Sequence, residues 1–295
     1  MKKLLLVLVS LFFTLGTVSA AIYGTPGEKF KSRGYVSNIQ NPAFESICAM
    51  GLVSECDFVV VYGEDPSVDG TTADIWDSGG THTYQADASA DIVSIASSSA
   101  SDTMIMTIKG LDAAGDELTQ SATLNGSTRV AITGLWRVLS VENDNSTDAV
   151  GNVFVYQGTS TVPSVGGSTV RAAVLIGNHI NLAGLWTIPN DKVALLTNFN
   201  AGIILQDATA DMESLLYVRK YGKDWQIKDR TNFSLPEKTD YQSSKNIIIP
   251  GKSDIKCAVL NDTTTDTPAV NCSFDLLIFD EAYFEDSFLT DIGQP

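Results

Sequence analysis

From Asp74 onward the chain is written in short runs of Val, Ile and Thr broken by Gly, Asn and Asp, a pattern that suits pleated strands and leaves little room for long helices. Residues 91–96 and 103–108 alternate in polarity as half-buried strands do, and 117–124, 128–133, 136–141 and 153–156 continue the series. Leu111 to Asp116 is predicted to be a hairpin connection, and Asn125-Gly126 a type I′ turn, since both of its central residues must take positive φ. Residues 158–168, rich in Thr, Ser, Gly and Pro and without period, read as a loop or boundary. Beyond them come strand-like runs at 169–176, 183–188, 193–199, 201–205, 214–220, 225–228, 246–249, 254–260 and 272–279. Turns are expected at Pro189-Asn190-Asp191 and Tyr221-Gly222-Lys223, and a helical turn at 207–213. The fold class expected is all-β, with two antiparallel β-sandwich or barrel-like units over 71–160 and 161–295.

The amino end is built differently. Lys2 and Lys3 precede an apolar run from Leu4 to Phe13, and Val18-Ser19-Ala20 has the small residues a signal peptidase needs, so residues 1–20 are expected to be a cleavable export signal. No later stretch reaches the length of a membrane span, so no membrane partner is expected of the mature form. Export agrees with the cysteines, which fall as two local pairs: Cys48 with Cys56 and Cys257 with Cys272 are expected to be disulfides. The chain carries 35 Asp and Glu against 19 Lys and Arg, a net charge of −16, which repels nucleic acid and anionic lipid.

Residues 21–70 form an N-terminal arm holding Lys29, Lys31 and Arg33, a concentration of positive charge in an otherwise acidic chain. A short helix is predicted after Asn41, with Pro42 in its first turn and Gly51 at its end. Phe44, Ile47, Met50 and Leu52 need burial that an isolated arm cannot supply, so the arm is expected to be an assembly element docking on an acidic neighbouring subunit.

Few residues point to chemistry. His82 and His179 stand far apart, and no H-E-x-x-H, G-x-S-x-G or phosphate-binding glycine loop occurs, so no enzyme is expected and both histidines are placed at turns or the surface. Asp65, Asp69, Asp74 and Asp77 supply the hard oxygens calcium prefers, although their spacing does not match an EF-hand; no cofactor other than calcium is suggested by the residues. Trp76, Trp136, Trp186 and Trp225 could stack on sugars, yet Trp136 and Trp186 lie in strand-like runs where a core role is expected. The N-x-[ST] sequons beginning at Asn125, Asn145, Asn232, Asn261 and Asn271 read as by-products of a Thr- and Ser-rich sequence.

Several blocks carry a resemblance: residues 73–80 (ADIWDSGG), 88–99 (ASADIVSIASSS), 107–112 (TIKGLD), 122–128 (ATLNGST), Trp186-Thr187-Ile188-Pro189 with Lys192, and 272–278 (CSFDLLI). Over residues 73–280 they resemble a virion structural protein of the type frequent in tailed phages of marine bacteria. The resemblance implies a head, neck or tail accessory or decoration-like β-protein and brings no catalytic residues. The expected function is therefore a non-enzymatic structural or assembly protein of an extracellular particle, virion or filament, self-associating or joining other structural subunits. The alternative is a secreted bacterial carbohydrate-binding or adhesive β-module.

Overall fold

The computed structural model describes residues 42–51, 56–68, 72–85, 89–159, 162–164, 167–205, 211–234, 241–261 and 268–283. Among these, one α-helix, α1 (Pro42–Ala49), precedes sixteen strands and a closing 3-10 turn at Glu281–Tyr283. No helix among the described residues is long and apolar enough to cross a membrane. The chain divides into two compact units, one of residues 1–58 with 277–295 and the other of 59–276.

In the first unit α1 has the predicted form. Proline opens it, and the chain leaves through Gly51 at φ +65°, whose amide donates to the Cys48 carbonyl at 2.8 Å. Cys48 is bonded to Cys56, and both are buried. The Phe44 and Ile47 side chains, together with Lys29, Lys31 and Arg33, lie outside the described residues.

The strands are β1 (Cys56–Asp65), β2 (Thr72–Asp74), β3 (Ile92–Ser97), β4 (Ile105–Leu111), β5 (Glu117–Thr123), β6 (Val130–Leu135), β7 (Arg137–Asn143) and β8 (Val153–Gln157). They continue with β9 (Val170–Val174), β10 (Leu185–Thr187), β11 (Lys192–Leu205), β12 (Asp211–Arg219), β13 (Gln226–Ser234), β14 (Tyr241–Pro250), β15 (Asp254–Asn261) and β16 (Ala269–Asp280). The sheets run β6-β3-β8-β9, β5-β4-β7, β10-β15-β12-β13 with β2 added on β15, and β1-β16-β11-β14; none closes into a barrel.

Within the larger unit, the first two sheets enclose one core. Ile92 and Ile95 of β3, Val153 and Val155 of β8 and Val174 of β9 meet Met106 and Ile108 of β4, Ala122 of β5 and Val141 of β7. The continuous apolar run Val153-Phe154-Val155-Tyr156 has a direct cause: the sheet is covered on both faces. Phe154 and Tyr156 point away from that core and pack with Trp76, Ala96, Val170, Ala173 and Leu185.

Turn chemistry explains the connections. Between β4 and β5 the Asp112 Oδ1 accepts the amides of Ala114 and Asp116 at 2.8 and 3.0 Å while Gly115 takes φ +89°, which is the predicted hairpin. Asn125-Gly126 also turns, with the Thr128 amide donating to the Asn125 carbonyl at 3.0 Å and Gly126 at φ +56°, but it is not the predicted type I′ turn, because Asn125 opens the turn and does not take positive φ. It makes no hairpin, however: β5 pairs with β4 and β6 with β3, so the turn carries the chain from one sheet to the other. A Cβ on Gly126 would meet the Ala100 carbonyl oxygen at 2.4 Å, so close packing demands glycine there as firmly as φ does. Residues 158–168 join β8 to β9, which are partners in one sheet. The helical turn expected at 207–213 is corrected in its second half, where Asp211 to Glu213 begin β12 paired with β13 and β15, because two flanking strands satisfy that backbone better than a single turn would.

The second disulfide, Cys257–Cys272, joins β15 to β16 with a Cα separation of 6.6 Å and so ties together strands of two different sheets. Gly184 sits against it, since a Cβ there would fall 2.6 Å from Cys272 Sγ. Gly63 of β1 in turn lies so close to Gly184 that its own Cβ would be 2.0 Å from the Gly184 nitrogen.

Candidate functional site

The densest polar chemistry in the larger unit is built on β15. Asp254, Lys256 and Ala258 share one face by strand alternation. Asp254 pairs in register with Thr187 of β10 on one side and Arg219 of β12 on the other. Its buried carboxylate accepts the Thr187 hydroxyl at 2.7 Å, Arg219 Nη2 at 2.5 Å, and Arg137, from the start of β7, through Nε at 2.9 Å. Two residues along, Lys256 Nζ donates to Asp74 Oδ1 at 2.5 Å, and the His82 amide donates to Asp74 Oδ2 at 2.8 Å. Burial pushes the Asp74 carboxyl above its ordinary range, and Lys256 opposes the shift.

Aromatic rings surround these charges. Trp76, His82, Tyr84, Trp225 and Tyr217 form a chain of edge contacts with centroid spacings of 4.9, 4.6, 5.0 and 6.4 Å. Arg219 lies 5.0 Å from the Tyr84 ring and 4.8 Å from that of Trp225, Lys256 lies 4.9 Å from Trp225, and Arg137 lies 4.1 Å from Trp136. This is an aromatic cage filled by the protein's own cations.

Beside the cage is a cavity of about 20 Å³, room for roughly one water, lined by residues that include His82, Tyr84, Gln85, Trp136, Arg171 and Trp186. His82 Nδ1, Tyr84 Oη, Gln85 Oε1, Trp136 Nε1, Arg171 Nε and Trp186 Nε1 are buried with no protein partner. They mix donors with acceptors: His82 donates from Nε2 to the Arg171 carbonyl at 3.2 Å, which leaves Nδ1 as an acceptor. Such a lining matches the hydrogen-bonding of water.

The surface expectation for His82 is thereby corrected. It is buried, and burial first, then the nearby Arg171, Arg137 and Lys256, lowers its pKa to about 3, so it stays neutral. His179 is on the surface, 2.7 Å from Asp148. Trp76 and Trp136 are buried, and Trp186 and Trp225 are partly so. Of the acids weighed for calcium, Asp74 faces Lys256 and Asp69 lies outside the described residues. Asp65 accepts the Ser67 amide at 3.0 Å, and Asp77 accepts the Leu182 amide at 2.7 Å. Burial, reinforced by Glu64 and Asp65, pushes Asp77 up to about 7. Among the described residues no three His, Cys, Asp or Glu side chains are placed to hold a metal ion.

A second feature lies at one end of the first sandwich. Val150, Ile176, Ile105 and Ile180 are 64, 61, 44 and 42% exposed. Hydrogen bonds stitch their segments together: the Ile176 amide donates to the Asn152 side chain at 3.0 Å, the Asp144 amide to the Ile105 carbonyl at 3.1 Å, and the Asn143 amide to the His179 carbonyl at 2.7 Å. A bridge between Glu142 and Ile180, and the His179–Asp148 pair, complete the connection. Exposed Glu142, Asp144 and Asp148 rim these residues. Sequence reasoning missed both this end and the Asp254 cluster, because each is assembled from segments far apart in the chain. The only local sign of the cluster was an arginine following a core tryptophan at 136–137.

The sequence matches no protein-family model and no curated protein. Among solved structures, it is similar to a Yersinia pseudotuberculosis-derived mitogen at 20% identity, over 35% of this chain and 87% of that one, with a TM-score of 0.18. The infectious bursal disease virus Gt strain structure is similar at 9% identity, over 84% of this chain and 80% of that one, with a TM-score of 0.24. The VP2 subviral particle of the same virus gives 9%, 82%, 78% and 0.20. Likenesses this distant carry no argument about what this chain binds or builds.

Proposed function

We propose that this chain is a non-enzymatic structural protein of an extracellular particle, virion or filament, acting through contacts between subunits. The observation that carries the reading is the exposed apolar end formed by Ile105, Val150, Ile176 and Ile180. Single exposed apolar residues are ordinary, but four on hydrogen-bonded neighbouring segments form a patch of the kind that subunit interfaces cover. The interior supports the reading: the charges around Asp254 and Asp74 are matched to one another, and the aromatic rings are occupied by internal cations. The two disulfides suit an extracellular or virion setting.

Sedimentation velocity of the native protein tests this. The wild type should associate with rising concentration, and the double variant Val150→Glu, Ile176→Glu should sediment as a monomer with an unchanged melting temperature. A wild type that stays monomeric throughout, or a double variant that associates equally well, refutes the reading.

A further inference from the structure

The proposal concerns what covers the apolar end of the first sandwich, and it rests on the assembly reading above. Residues 99–105, 142–152 and 175–182, which make this end, contain no Lys or Arg. Their exposed carboxylates are Glu142, Asp144 and Asp148, and the one basic side chain, His179, already pairs with Asp148. A partner that fits must bring apolar surface and positive charge together.

A second copy presenting the same end cannot do so, because two acidic rims would face each other without compensating cations. The chain nevertheless holds a segment of the required chemistry: Lys29-Phe30-Lys31-Ser32-Arg33-Gly34-Tyr35-Val36 places three cations beside two aromatic residues and a valine. In a chain of 19 basic and 35 acidic residues, that concentration is unusual. We infer that the acidic, apolar end formed by Ile105, Glu142, Asp144, Val150, Ile176 and Ile180 receives the basic segment 29–36 of a second copy. The aromatic and valine side chains would cover the isoleucines and Val150, while the lysines and arginine would meet the carboxylate rim. An arm folded back on its own subunit would leave every copy acidic and unlinked, whereas exchange of arms joins copies head to tail. A heterologous contact of that kind closes into rings or propagates as a filament.

Charge reversal with mixing tests both occupant and geometry. One full-length variant carries Lys29→Glu, Lys31→Glu and Arg33→Glu; the other carries Glu142→Lys, Asp144→Lys and Asp148→Lys. By sedimentation, each variant alone should require about tenfold or more higher concentration to associate than the wild type does. An equimolar mixture should recover association, because each variant then meets a complementary arm and end on the other. Melting temperatures close to that of the wild type establish that both variants fold. If the mixture stays dissociated, or either variant alone associates like the wild type, the arm is not the occupant. Should Val150→Glu, Ile176→Glu still abolish association in that case, the assembly reading survives and only this inference falls. A wild type that never associates removes both.

Discussion

Asp254 shows how one residue can be essential to a fold and unreadable in a sequence. Nothing in Lys252-Ser253-Asp254-Ile255-Lys256 marks its aspartate as the centre of a buried network, since its partners Arg137, Thr187 and Arg219 arrive from β7, β10 and β12. A buried carboxylate with two guanidinium partners gains little over an apolar substitute, but stripping one member leaves uncompensated charge. We therefore expect Asp254→Ala to cost about 3–5 kcal/mol in urea unfolding, because Arg137 and Arg219 lose their shared acceptor. Arg230→Ala removes a mostly exposed pair with Glu213 and should cost no more than about 1 kcal/mol. Equal losses from the two would show that burial does not set the value of these pairs. Individual residues were legible where the signal was local: Gly51 and Gly115 take the positive φ that their turns require, and Trp136 lies in the core.

Among elements, strands were easier to find than their partners. Runs such as 91–96 and 103–108 coincide with strands because alternation and β-branching are properties of a few consecutive residues. Pairing is not, and Asn125-Gly126 is the example: the residues mark a turn, but neither its type nor the crossing between sheets, where Gly126 lies against the backbone of Ala100, more than twenty residues away. The same holds for Gly63 and Gly184, whose close approach lets β1 and the segment before β10 meet beside the Cys257–Cys272 bridge. We expect Gly63→Ala to lower the melting temperature by several degrees, because the added methyl would overlap backbone atoms rather than a movable side chain. Removing the bridge by Cys257→Ala with Cys272→Ala should cost about 3 kcal/mol, the loop-entropy expectation for a closure of this size. Circular dichroism melts of both variants check these outcomes. A Gly63→Ala protein as stable as the wild type would mean that the two backbones can separate without loss.

For the whole molecule, stability should depend on pH through two buried groups that oppose each other. Asp77 keeps its proton up to about pH 7 in the folded protein against an ordinary value of 3.8, so the folded state binds more protons between those limits. Its contribution is therefore greatest at low pH and is lost as pH rises through that window. His82 is the reverse, with a folded pKa of about 3 against an ordinary 6.5, so the unfolded state binds more protons and stability is lost as pH falls from 6.5 towards 3. The windows overlap over pH 4 to 6.5, where each group would contribute a slope of up to about 1.4 kcal/mol per pH unit with opposite sign. The wild type should consequently show a flatter profile there than either group alone would give, with the raised Asp74 carboxyl adding to the Asp77 side. Asp77→Asn keeps an oxygen for the Leu182 amide but removes one slope, so this variant should gain stability at pH 8 and lose it steadily below pH 6.5. Urea unfolding of wild type and variant at half-unit steps from pH 4.5 to 8 reads the effect directly. Parallel profiles would show that Asp77 titrates as an ordinary carboxylate and that the balance proposed between it and His82 does not exist.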